Sequence, residues 1–147
     1  MFKNILVPIH LDYKANHKKL FLGAQEVLLD EKDSKMTLLY VNENRAHGSV
    51  YNHLDGKKET NSDNEALTKL KEIAKNFELP EDRVSFRIKE GTVHTEILEE
   101  AKKIDADAIV MMATRPGLGS YFISSTAERV IRHAKCSVFV IRRDPGE

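Results

Sequence analysis

The chain of 147 residues has a single cysteine, Cys136. That excludes an internal disulfide framework and a cysteine-rich zinc site, and it fits a reducing compartment. It also lacks an excess of charge of either sign, with Lys plus Arg and Asp plus Glu at 23 each. No net field draws it to nucleic acid, and no basic run forms a local patch. Long apolar runs are missing too: none spans a bilayer, and the one in MFKNILVPIHLDYK is too short for a signal h-region. These absences predict a cytoplasmic protein with neither nucleic acid nor membrane as partner.

Several chemical signatures are absent as well. No G-x-x-x-x-G-K phosphate loop occurs, and neither Ser124 nor Ser125 sits in a G-x-S-x-G elbow that would make it a nucleophile beside His133. His47, His53 and Asp55 match no structural zinc spacing, so a solvated loop is the better account of them. No general acid and base pair stands out to carry rapid turnover, so no catalytic residue and no metal ligand is assigned.

What the chain does have is alternation of strand and helix patterns. Ile5 to Ile9 reads as a first buried strand, whose pairing should stop near Pro8 because proline has no N–H to donate. Leu20, Phe21, Ala24, Val27 and Leu28 recur at helical spacing between about Asn16 and Asp30. Met36 to Val41 is a second strand. Residues 44–62 are polar, show no sustained period and are expected to form a mobile loop. Ser62 with Glu65 reads as a capping box for a helix that buries Leu67, Leu70, Ile73, Ala74 and Phe77. Val84, Phe86 and Ile88 alternate with polar residues, which predicts a half-exposed strand near a sheet edge. A third helix pattern places Val93, Ile97, Ala101 and Ile104 inward and leaves Glu96, Glu99, Glu100, Lys102 and Lys103 in solvent.

Ala108 to Ala113 carries no charge and predicts a central strand covered on both faces. Thr114 to Ser120 then supplies backbone freedom at Gly117 and Gly119, hydroxyls, and one fixed cation, Arg115. The last helix is expected from about Ser120 to Ala134, burying Phe122, Ile123, Thr126, Val130 and Ile131, before the strand Ser137 to Ile141. This order predicts one domain with a five-stranded, parallel, doubly wound sheet between helical layers. Ligands of such sheets bind outside the carboxyl ends of the strands, which points to the loop at 114–120.

ILVPI at the start, EGTVHTEILEEAKKIDADAIVM in the middle and STAERVIRHAKCSVFVIR at the end together resemble the universal stress protein family, over essentially the whole chain. The resemblance implies a flavodoxin-like α/β sandwich, a homodimer joined through the last strand (Ser137 to Ile141), and in one subclass an ATP site. Carried onto this chain, the phosphate pattern Gly-x-x-Gly, nine residues, then Gly-Ser or Gly-Thr falls on Met111, Thr114 and Ser124-Ser125, so all three glycines are missing. The aspartate expected at the adenosine end falls on His10, and the adenine-side main-chain positions on Ile9 and Val41. Glycine lets phosphate oxygens reach main-chain N–H groups, and a side chain in its place crowds that approach. Against this, Arg115, Gly117, Ser120, Ser124 and Ser125 supply groups suited to phosphate, and Asp12 lies two residues beyond His10.

Two function classes stay open. In one, the chain is a stress-response regulator that binds ATP or another adenine nucleotide, with or without Mg²⁺, and at most hydrolyses it slowly. Its adenosine end would lie on Pro8, Ile9, His10 and Val41, and its phosphates on Met111, Thr114, Arg115, Gly117, Ser124, Ser125 and Thr126. In the other, it binds no nucleotide and acts through homodimerisation and protein partners.

Overall fold

The computed structural model describes residues 2–11, 16–43, 56–113 and 123–142, with backbone alone over 56–62. Five strands and four helices alternate: β1 (Asn4–Pro8), α1 (His17–Val27), β2 (Lys35–Asn42), α2 (Gly56–Asn76), β3 (Val84–Glu90), α3 (Val93–Lys103), β4 (Ala108–Met112), α4 (Ser125–His133) and β5 (Ser137–Ile141). All neighbouring strands pair in parallel, in the order β3-β2-β1-β4-β5. This is the expected doubly wound α/β sandwich of flavodoxin type. The chain winds outward from β1 through β2 to β3, then crosses to β4 on β1's other side.

The strand residues divide by parity. Ile5, Val7, Met36, Leu38, Ala108 and Val110 pack on the face covered by α1 and α2, whereas Leu6, Leu39, Val41, Ile109 and Met111 pack on the face covered by α3 and α4. The unbroken apolar runs of β1, β2 and β4 are therefore the signature of burial on both sides. Each fully buried aliphatic side chain in these layers contributes about 1.5–3 kcal/mol. Pro8 pairs with Leu39 as the last register pair of β1, as its missing N–H requires. β3 is an edge strand with Val84, Phe86 and Ile88 half-buried between exposed Ser85 and Arg87.

Some boundaries differ from expectation. The helix expected to start at a Ser62 cap begins at Gly56, so 56–62 is helical rather than loop and Ser62 lies within it. Lys and Glu are good helix formers, but a segment with no apolar stripe gives periodicity nothing to register. The rest of the expected mobile loop, 44–55, lies outside the described residues. α4 starts at Ser125, not near Ser120, and Phe122 lies outside the described residues. Its buried stripe is the narrow pair Ala127 and Val130, with Thr126 half-buried. Ile123 and Ile131 are exposed, contrary to expectation, because α4 lies over the edge of the sheet.

Glu100 is the other departure. It was expected in solvent and is only 2% exposed. Its Oε1 lies 3.2 Å from Arg87 Nε and its Oε2 lies 3.8 Å from Lys89 Nζ, both cations reaching over from β3. Oε1 accepts no well-directed hydrogen bond, so the Arg87 contact is an ion pair of distance rather than of alignment.

α1 is the brace of the structure. Its Leu20, Phe21 and Ala24 join the core cluster of Ile5, Val7, Met36 and Leu38, and the helix lies against β4 and β5. There Gly23 sits so close to Ile141 that a Cβ at position 23 would collide with its Cδ1.

Candidate functional site

The sheet order puts a switch point between β1 and β4, and the register shows what happens there. β1 and β4 pair only through Ile5 with Ala108 and Leu6 with Ile109. Beyond that, β1 stays with β2 through Pro8 and Leu39, and the Ile9 N–H donates to the Leu39 carbonyl at 2.9 Å. β4 stays with β5 through Met112 and Ile141, and the Ala113 N–H donates to the Ile141 carbonyl at 2.8 Å. The two central strands therefore part at their carboxyl ends and leave a crevice, the usual ligand position of this architecture.

The β1 side of the crevice is Pro8, half-buried, then buried Ile9 and exposed His10. His17, the first residue of α1 and only 2% exposed, donates from Nε2 to the His10 carbonyl at 2.7 Å. Its ring lies 6.1 Å from Phe21 and 6.5 Å, edge-on, from Phe77 of α2. This histidine fixes where the main chain leaves β1, and the sequence reading gave it no role. A polar residue on the otherwise apolar face of an amphipathic helix was its only signal.

On the β4 side, Met111 is 5% exposed and packs in the cluster beneath α3 and α4, so its side chain belongs to the core. The Ser124 N–H donates to the Ala113 carbonyl at 2.8 Å, closing the base of the segment between them. Thr114, Arg115, Gly117, Gly119 and Ser120, all expected at the site, lie within that segment and outside the described residues; Asp12, before α1, is outside them too. Ser124 is the N-cap of α4, its hydroxyl accepting the Ala127 N–H at 3.1 Å. Ser125 is exposed and Thr126 half-buried at the same helix start. Val41 is buried in β2 on the α3 and α4 side, whereas Ile9 faces α1 and α2. The two adenine-side positions therefore share the carboxyl end of the sheet but not a face.

Beside this end, Gly91 follows β3 at φ +136, and an added Cβ there would lie 2.9 Å from Glu96 Oε1. Burial under this turn, with Glu99 adding to it, holds the Glu96 carboxyl above the ordinary carboxylate range. Cys136, before β5, has its thiol pushed up chiefly by burial, which opposes thiolate chemistry there. Among the described residues no three His, Cys, Asp or Glu side chains converge to hold a metal, and no helix is long and apolar enough to cross a membrane.

A parallel sheet of order 3-2-1-4-5 whose strands part at the β1–β4 switch point defines a flavodoxin-like α/β protein. The model of the universal stress protein family matches residues 1–142, and the chain belongs to that family. It is 26% identical over 144 residues to universal stress protein G of Salmonella typhimurium, covering 97% of this chain and all of that one. Among solved structures it resembles hypothetical protein MJ0577, at 25% identity and a TM-score of 0.76, with 99% of each chain covered. It also shares the fold of a universal stress protein solved in complex with cAMP, at 14% identity and a TM-score of 0.61, covering 95% of this chain and 96% of that one.

Proposed function

We propose that the protein is a cytoplasmic stress-response regulator that binds an adenine nucleotide in the crevice between β1 and β4, hydrolysing it slowly if at all. The parting of β1 from β4 after Leu6 and Ile109 carries this reading. It leaves Ile9 and His10 on one side of the opening and Ala113 and Ser124 on the other. Pro8, Ile9, His10 and Val41 take the adenosine end. The phosphates lie toward Thr114, Arg115 and Gly117 and the start of α4 at Ser124, Ser125 and Thr126, where free N–H groups and the helix dipole favour an anion. The fit improves on what the missing glycines suggest in one respect: Met111 is turned into the core and does not crowd the crevice. Since the Ser124 hydroxyl already caps the helix, Ser125 is the hydroxyl left for a ligand. That a relative of the same fold was solved with cAMP supports an adenine nucleotide over other anions.

Calorimetric titration of the nucleotide-stripped protein with ATP, ADP, AMP and cAMP, with and without Mg²⁺, tests this reading. Micromolar binding that Arg115→Ala weakens about tenfold or more is expected. No heat and no thermal stabilisation at millimolar nucleotide refutes it.

A second reading rests on β5. It is a sheet edge with Phe139 37% exposed and Val138, Val140 and Ile141 half-buried, an edge that calls for cover. Homodimerisation through Ser137 to Ile141 supplies it, and a monomer in equilibrium sedimentation rejects that.

A further inference from the structure

At the amino ends of the strands, opposite the crevice, a cleft of about 310 Å³ opens between the end of α1 and the turn that leads into β3. Leu28, Leu29, Met36, Pro80 and Val84 give it an apolar wall, with Gln25, Asp30 and Arg83 as its polar groups. The positive charge of Arg83 is already committed. Its Nη1 pairs at 2.8 Å with Oδ1 of Asp30, its Nε is sealed from solvent, and the Asp82 carboxylate also acts on it. Asp30 keeps a free side in this pair: its side chain is 95% exposed, and only Oδ1 meets Arg83, which leaves Oδ2 available at the cleft. The end of α1 adds to the same sign, since no basic residue stands in its last turn. The Leu29 N–H, which a continuing helix would give to the Gln25 carbonyl, donates instead to the Phe2 carbonyl at 2.8 Å. The carboxyl end of the helix therefore keeps its negative partial charge, roughly half a unit.

At the cleft, Arg83 thus faces two carboxylates and a negative helix end, so the polar side of the cleft is negative on balance. An anion is repelled there, and a neutral molecule leaves Asp30 Oδ2 and the Gln25 carbonyl to water. The cleft volume lies at the low end of small-molecule sites, and its wall is mostly apolar. We propose that this cleft binds a small organic cation, a primary ammonium on a branched aliphatic or aromatic body. The body lies against Leu28, Leu29, Met36 and Val84, and the ammonium lies between Asp30 Oδ2 and the carboxyl end of α1. An ammonium suits this place because its three rotatable donors need no fixed plane of acceptors. Since Asp30 is exposed, its charge selects more than it holds, and the affinity is on the order of millimolar. The site is independent of the crevice and of whatever binds there.

Methyl-resolved NMR titration of the full chain at neutral pH with 2-phenylethylamine and with 3-methylbutylamine tests this. Saturable shifts confined to the methyls of Leu28, Leu29, Met36 and Val84 are expected. 2-Phenylethanol keeps the aromatic body and loses the charge, and it should bind about two- to fivefold more weakly than its amine. 3-Phenylpropanoate carries the opposite charge and should bind more weakly still. Asp30→Asn removes the carboxylate and uncovers Arg83 Nη1, so the amine should lose its lead over the alcohol while the acid gains, opposite signs that no general loss of folding produces. Unsaturable or scattered shifts, an alcohol or acid that binds the parent as tightly as the amine, or an Asp30→Asn variant that keeps the parent's ranking would each overturn the proposal.

Discussion

Buried Glu100 sets up a test in which the order of stabilities, rather than any single value, carries the reasoning. The carboxylate is 2% exposed in the layer between α3 and the sheet, and it is neutralised by Arg87 and Lys89, whose side chains are 46% and 32% exposed. Removing both cations, Arg87→Met with Lys89→Met, leaves a bare carboxylate in an apolar layer. Breaking a buried ion pair from one side costs about 3–5 kcal/mol. Removing either cation alone should cost less, about 1–2 kcal/mol, because the other remains and both reach solvent. Glu100→Met, by contrast, removes the charge and keeps the volume, and such replacements are neutral or stabilising by about 1–4 kcal/mol. The triple variant with all three changes should recover most of what the double variant loses. Urea unfolding at neutral pH with a shared m-value reads all of these. If Glu100→Met is as destabilising as the double variant, or if the triple variant adds to its loss, the carboxylate is not a desolvated charge held by its two partners.

Two further predictions follow from packing and titration. Gly23→Ala gains about 1 kcal/mol of helix propensity but forces Ile141 Cδ1, the tip of a half-buried side chain, to swing aside, at about 0.5–1.5 kcal/mol for a displaced rotamer. It should stabilise an Ile141→Val background more than the parent, and equal effects in both backgrounds on denaturant melts refute the contact. Glu96 binds its proton more tightly folded than unfolded, because burial raises its carboxyl. Its contribution is therefore full below the unfolded carboxylate value of about 4.3 and is lost as pH rises through the raised folded one. Glu96→Gln should gain stability relative to the parent as pH rises across that window, and a difference that stays flat with pH would exclude the effect.

The strands were legible because burial on both faces leaves an unmistakable trace, runs such as ILV in β1 and AIVMM in β4, and because the half-exposed edge of β3 alternates. Helix faces were read less well wherever packing was not symmetric. Ile131 lies on the far side of Ala127 from Val130, roughly 40° beyond the edge of the narrow stripe that α4 buries. Glu100 was missed because a lone glutamate on a helix reads as solvated. Only the tertiary pairing of β3 with α3 brings Arg87 and Lys89 to it. The start of α2 was missed for the opposite reason: a polar stretch carries no phase at all. Of the candidate site, the place was legible from the strand order alone. The anchoring His17 was not, since its hydrogen bond is to a main-chain carbonyl that no side-chain pattern announces.

The parting of β1 from β4 also changes what kind of object the sheet is. Mechanically it is two plates, β3-β2-β1 and β4-β5, stitched at one end by two register pairs and free at the other. α1 lies against β4 and β5 of the second plate, pressed through Gly23 onto Ile141, while its Leu20, Phe21 and Ala24 share one core cluster with Ile5 and Val7 of the first. Any spreading of the plates would therefore strain the packing of Gly23 on Ile141, at edge strand β5.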